Sequence, residues 1–138
     1  MYEDLKNKTA LITGSGKRTG IGYAIAEKLS ACGANVIVTD LGQDSDPSGG
    51  ARTGTQQEMQ EIAADLAERF RVRTLAVEMD ITSGTSIARM VERVKESFEH
   101  IDVLCNNAGA SFGVPSAVHT YDEDAWMKTI DVNLHSVF

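Results

Sequence analysis

The feature that most constrains this chain is the stretch from Lys8 to Ala34, KTALITGSGKRTGIGYAIAEKLSACGA. Thr9 to Thr13 is a short apolar and β-branched run without helical period, the pattern of a parallel strand covered on both faces. Gly14, Gly16, Gly20 and Gly22 follow, removing Cβ atoms where the chain must turn and where a ligand must approach the backbone. Ile21, Ala24, Ile25 and Leu29 then recur at helical spacing, and Gly33 stands where a left-handed cap would close the helix. A helix starting near Gly20 points unpaired N–H groups and its positive dipole end back at the turn. That is an anion site, and after a strand and a glycine-rich turn the expected anion is a pyrophosphate.

Asp40 strengthens this reading. It ends the next apolar run, Asn35 to Thr39, at about the spacing of an acid that hydrogen-bonds an adenosine ribose. A carboxylate there repels a 2′-phosphate, which favours NAD over NADP. Lys17 and Arg18, in the turn, pull the other way, and Asp40 carries more weight.

The rest of the chain alternates elements. After Asp40, LGQDSDPSGGARTGT is a polar loop longer than most strand-to-helix connections, read as a tolerated surface insertion in preference to a flap at the adenosine end. Gln56 to Phe70 places Met59, Ile62, Ala63, Leu66 and Phe70 on one helical face. Val72 to Met79 alternates as a third strand and ends at Asp80. Thr82 or Ser83 can cap a helix whose face is Ile87, Met90, Val91, Val94 and Phe98. Ile101 to Cys105 reads as a fourth strand, followed by Asn106-Asn107-Ala108-Gly109. The last element runs from a cap at Asp122 through Trp126, Ile130, Val132 and Leu134. This alternation predicts an α/β chain, a right-handed, doubly wound parallel sheet of the Rossmann type. Gly14, Asp40, Asp80 and the Asn-Asn-Ala-Gly turn all fall at carboxyl ends of strands, where open parallel sheets bind their ligands.

Composition narrows the function classes. At 138 residues and 42% apolar, the chain is one domain at most and large enough for a core. A net charge of −7, with thirteen scattered lysines and arginines, argues against a nucleic-acid partner. No apolar run approaches the ~20 residues that span a bilayer, and MYEDLKNK lacks the apolar core of a signal peptide, so no membrane partner and a cytoplasmic location are expected. Cys32 and Cys105 have no ligand spacing and read as reduced, buried thiols. His100, His119 and His135 are isolated, and no metal site is expected.

Thr13-Gly14, Gly20-Ile21-Gly22, Asp40, Asp80-Ile81, Asn106-Asn107-Ala108-Gly109 and Asp131-Val132-Asn133-Leu134, in that order, resemble the classical short-chain dehydrogenase/reductase family over essentially the whole chain. The resemblance implies an oxidoreductase that moves a hydride between NAD(H) and an alcohol or carbonyl substrate. It implies that Gly14, Ser15, Gly16, Gly20, Ile21 and Gly22 hold the pyrophosphate, that Asp40 and Leu41 meet the adenosine ribose, and that Asp80 and Ile81 contact adenine. Asn107, Ala108 and Gly109 lie along the nicotinamide-side ribose. Asn133 bends a helix and holds a water in the proton relay, and a homo-oligomeric parent protein is implied as well.

Two departures from the family pattern matter. Five residues lie between Gly14 and Gly20 where the family has three, so either the turn is longer or the register begins at Gly16. The longer turn, with Tyr23-Ala24-Ile25-Ala26 after it, is reminiscent of the enoyl reductase branch. The family's catalytic serine and Tyr-x-x-x-Lys pair follow the Asn133 helix, and they are not in this sequence. Tyr2 and Lys6 have the spacing but precede the first strand. The expectation is therefore an N-terminal, cofactor-binding part of a longer enzyme, with strands in the order 3-2-1-4 and an open edge at Ile101 to Cys105. Residues 110–120 are expected to border the substrate. A non-catalytic dinucleotide-binding module or regulator is the alternative.

Overall fold

The structure, a computed structural model, describes residues 3–43 and 52–138. Most of the polar loop after Asp40, and Tyr2 of the Tyr2/Lys6 pair, lie outside the described residues.

Four parallel strands, β1 (Thr9–Ile12), β2 (Asn35–Asp40), β3 (Thr74–Glu78) and β4 (Val103–Cys105), form one sheet in the order β3-β2-β1-β4. Helices α1 (Ile21–Ala31), α2 (Gln56–Phe70), α3 (Gly84–Lys95) and α4 (Glu123–Asn133) alternate with and follow them. The doubly wound, Rossmann-type sheet predicted from the alternation is present with the expected strand order.

The strand period of two explains how the sheet is covered on both sides. Ala10, Ile12, Val36 and Val38 face one way, against Ala26 of α1 and Met59, Ile62 and Leu66 of α2. Leu11 and Ile37 face the other way, against Met90 and Val94 of α3, and Phe98 just beyond it. Ile62 and Leu66 are fully buried, and each contributes about 2 kcal/mol by removal of apolar surface from water. Buried alternately on both faces, β1 and β2 read as unbroken apolar runs.

Helix ends follow the expected chemistry. Ser83 caps α3 by accepting from Ser86 N–H, and Asp122 caps α4 by accepting from Ala125 N–H at 2.8 Å. Gly33 has φ +85°; its N–H donates to Ser30 and that of Ala34 to Leu29, the paired bonds of a left-handed helix stop.

Some expectations need correction. The fourth strand begins at Val103, because Asp102 closes the ladder itself: its N–H donates to Thr9 O while its carboxylate accepts from Thr9 N–H, both at 2.8 Å. The third strand is Thr74–Glu78, with Val72 and Arg73 outside it. Cys32 is buried, but Cys105 is only half-buried, because β4 is the sheet edge. Val91 stands at 36% exposure, and α4 buries no residue, with Trp126 and Leu134 exposed. Among the described residues no helix is long and apolar enough to cross a membrane, and no cluster of His, Cys, Asp or Glu could hold a metal ion.

Candidate functional site

The carboxyl ends of the four strands open into a groove of about 420 Å³. The first wall is the glycine turn. Gly14 has φ +64°, and a Cβ there would stand 2.8 Å from Ala108 Cα, so turn and β4 end touch directly. Gly16 lies elsewhere: its added Cβ would meet Asp40 Cβ and Met59 Cγ, both at 2.6 Å. Of the two, Gly14 borders the groove and Gly16 does not. At Gly22 a Cβ would come 2.5 Å from Gly14 O and 2.6 Å from Asn107 Nδ2, which packs α1 onto both neighbouring segments.

At the end of this turn α1 begins at Gly20 without a side-chain cap and without an acid in its first turn. The other three helices carry caps from Thr55, Ser83 and Asp122. Gly20 and Ile21, the latter 76% exposed, line the groove, so the positive end of α1 faces into it.

The second wall is the end of β2. Asp40 Oδ2 accepts from Gly16 N–H at 3.0 Å and Oδ1 from Leu41 N–H at 2.9 Å, and both residues beside that carboxylate, Asp40 and Leu41, line the groove. Lys17 lies on the same rim, while Arg18 turns away: its N–H donates to Glu58 at 3.0 Å and its guanidinium pairs with Asp65 on α2. Beyond β3, Asp80 Oδ1 accepts from Thr82 N–H and Oγ1–H at 2.8 and 2.7 Å, and Asp80, Ile81 and Thr82 continue the wall.

The third wall is the Asn-Asn-Ala-Gly turn, and Thr13 builds it. Thr13 Oγ1 accepts from the N–H groups of Asn107 and Ala108 at 3.0 and 2.9 Å, and Asn107 Nδ2 donates to Thr13 O and Gly14 O at 2.8 and 3.1 Å. Beyond this turn, α4 fastens the chain with residues four apart on one stripe. Asn133 Nδ2 donates to Ala110 O at 2.6 Å and to Thr129 O at 2.7 Å, and Thr129 Oγ1 accepts from Phe112 N–H at 3.2 Å. Gly113, with φ +68°, has room only for hydrogen beside Ala125. Tyr121 donates its hydroxyl to Phe112 O. Ala110, Phe112 and Val132 form the apolar end of the groove. Nearby, burial pushes the Cys105 thiol above its ordinary pKa.

Gly14, Gly20, Ile21, Asp40, Leu41, Asp80, Ile81, Asn107, Ala108 and Gly109 therefore share one groove. Gly16 and Gly22 pack behind it. Ser15 is fully buried, its hydroxyl donating to Ile12 O at 2.8 Å and accepting from Thr39 N–H at 3.2 Å, so that side chain joins β1 to β2. Asn133 stands behind the groove as a brace for residue 110. Residues 110–120 are brought to the groove only through Ala110 and Phe112.

A strand, glycine turn and bare helix end, an acid closing β2 and the Asn-Asn-Ala-Gly turn on one sheet define a dinucleotide-binding type of fold. The chain belongs to the short chain dehydrogenase family, whose profile matches residues 8–138. It is 34% identical to glucose 1-dehydrogenase 2 of Bacillus subtilis (strain 168), over all of this chain and 47% of that protein. Among solved structures, the NADPH-dependent 3-quinuclidinone reductase of Rhodotorula rubra is 35% identical with a TM-score of 0.75, over 97% of this chain and 44% of its own. An NAD+-bound xylitol dehydrogenase superposes with a TM-score of 0.79 at 25% identity, over 97% of this chain and 45% of its own. The chain spans about half the length of the curated relatives it matches.

Proposed function

We propose that the protein is an oxidoreductase that binds NAD(H) in this groove and transfers a hydride between the nicotinamide and an alcohol or carbonyl carbon. The observation that carries the reading is that the uncapped start of α1 and Asp40 line one groove. A pyrophosphate needs the former and ribose hydroxyls the latter. The chain's residues fit a dinucleotide, since substituents at Gly14 and Gly22 would push apart the segments that form the cradle.

In this reading Gly14, Gly20 and Ile21 hold the pyrophosphate with backbone N–H groups, Asp40 accepts from the ribose hydroxyls, and Asp80 and Ile81 flank the adenine. Asn107 to Gly109 orient the nicotinamide side, and Asn133 fixes the segment beside it. The bound dinucleotide supplies the hydride donor or acceptor. The proton donor is expected from a Tyr-x-x-x-Lys pair with a serine in the whole protein, and residues 1–138 alone are expected to turn over no alcohol. The relatives named above support the nicotinamide cofactor, and Asp40 supports NAD as the tighter form. The two free thiols agree with a reducing, cytoplasmic setting.

Titration of the purified protein with NADH, followed by its fluorescence, tests the reading. One saturable site is expected, weakened about tenfold or more in Asp40→Ser, the loss of charge-assisted hydrogen bonds to hydroxyls. Absence of saturable binding, or an Asp40→Ser variant with unchanged affinity, overturns it.

A further inference from the structure

Between Gly14 and Gly20 the glycine turn contains a piece that leaves the groove. Lys17 and Gly20 line the groove and Arg18 does not, so the chain swings out behind the wall at Arg18 and is back by Gly20. Lys17 O accepts the Gly20 N–H at 2.9 Å, which closes residues 17–20 into one tight turn immediately before α1. The aim of the bare end of α1 therefore depends on what holds this turn.

Helix α2 holds it. Gly54, just ahead of that helix, packs so closely on the Gly16 carbonyl that a Cβ would overlap it. Arg18 N–H donates to Glu58 Oε1 at 3.0 Å, and its guanidinium reaches Asp65 Oδ2 and Glu61 O, both at 3.4 Å. The same guanidinium stands 5.7 Å from the ring centre of Tyr23, in the first turn of α1. Thr55 and Glu58 have the spacing of a capping box, in which the acid reaches back to the N–H of the cap residue. Here Thr55 Oγ1 accepts from Glu58 N–H at 3.1 Å, while the Glu58 carboxylate accepts from Arg18 instead. The exposed ion pair of Arg18 with Asp65 contributes little to folding. A bond from a backbone N–H fixes the chain itself, and this one fixes it two residues before the helix start.

Resting on the dinucleotide reading above, we propose that Glu58 is a positioning residue for the pyrophosphate: through the Arg18 N–H it holds the 17–20 turn, and with it the start of α1, in the arrangement that accepts the dinucleotide. Neither Glu58 nor Arg18 lines the groove, so the effect is indirect. Without the bond the turn samples other arrangements, and the apparent affinity falls with the fraction of molecules that stay competent.

The test compares wild type, Glu58→Ala and Glu58→Gln by equilibrium titration with NADH and by hydrogen exchange of the ligand-free protein. Glu58→Ala removes the acceptor and is expected to weaken NADH about tenfold, the loss of one hydrogen bond to a charged group. Its Gly20 amide should exchange faster while the β1 amides keep their wild-type rates. Glu58→Gln keeps an oxygen acceptor at the same reach and should recover most of the affinity. A role through charge at the start of α2 alone predicts the opposite, that the glutamine variant loses as much as the alanine one. Unchanged NADH affinity in Glu58→Ala, equal losses in the two variants, or β1 amides that exchange faster together with Gly20 overturn the positioning role and leave the dinucleotide reading standing. A wild type without saturable NADH binding overturns both.

Discussion

Thr13 is the residue on which the structure places the most, and Thr13→Val isolates its hydroxyl at nearly constant volume. Thr13 is 6% exposed, and its Oγ1 accepts two backbone N–H groups, from Asn107 at 3.0 Å and Ala108 at 2.9 Å. Valine keeps the branched packing beside β4 but leaves both donors facing a methyl group. An unsatisfied buried donor costs about 1–3 kcal/mol. These two are only partly buried, so water recovers a share, and the expected loss is about 2–3 kcal/mol in total. Urea unfolding followed by far-UV circular dichroism measures it: the midpoint should fall with the slope unchanged, since the surface exposed on unfolding is the same. Thr13→Ser, which keeps the oxygen, should lose less than half as much. A Thr13→Val variant within about 0.5 kcal/mol of wild type, the range of an ordinary surface substitution, would refute the idea that this hydroxyl holds the β4 turn.

Gly22→Ala reverses the usual sign for a helix glycine. Alanine ordinarily stabilises a helix interior by about 1 kcal/mol, but here its Cβ meets Gly14 O and Asn107 Nδ2, and a loss of about 1–3 kcal/mol is expected in the same unfolding assay. Thr129→Val removes the acceptor for Phe112 N–H and should raise the hydrogen-exchange rate of the Phe112 amide while leaving those of the β1 amides unchanged. Asp102 is held below the ordinary carboxylate range by the Thr9 N–H and by Lys8. A lowered pKa in the folded state gives stability that is present above the unfolded value and lost as pH falls through the folded one. Thermal melts should therefore show a steeper acid limb for wild type than for Asp102→Asn.

What the sequence made legible was set by local causes. Gly33 has to be left-handed because the periodic apolar face stops just before it, and Asp122 caps α4 because its side chain reaches its own helix. The strand order is that of the doubly wound dinucleotide-binding sheet, 3-2-1-4, which the ordered motifs point to and the alternation alone does not fix. The acid ending β2 and the turn ending β4 share a groove because parallel strands end on one side.

Long-range contacts were less legible. Ser15 stands within the glycine turn in the sequence, yet its hydroxyl faces Ile12 and Thr39, since only the pairing of β1 with β2 decides which way a turn residue points. Thr13 reads as a strand residue, and its hydroxyl acquires a role only once β4 lies beside it. The polar loop after Asp40 reads as a tolerated insertion, but residues 52–55 return onto Gly16 and bring Arg52 to the groove. The glycine at position 54 was the available signal, and it became meaningful only with Gly16 in place beneath it.

The most direct test of the central claim is to titrate the protein with NADH and follow its backbone amide resonances. The account predicts saturable shifts at Gly14, Ile21, Asp40, Asp80 and Ala108, which surround one groove, with the Arg93 amide at the far end of α3 unmoved. Shifts confined to a second cavity, walled by Met90, Leu104 and Phe138, or no shifts at all, would contradict it.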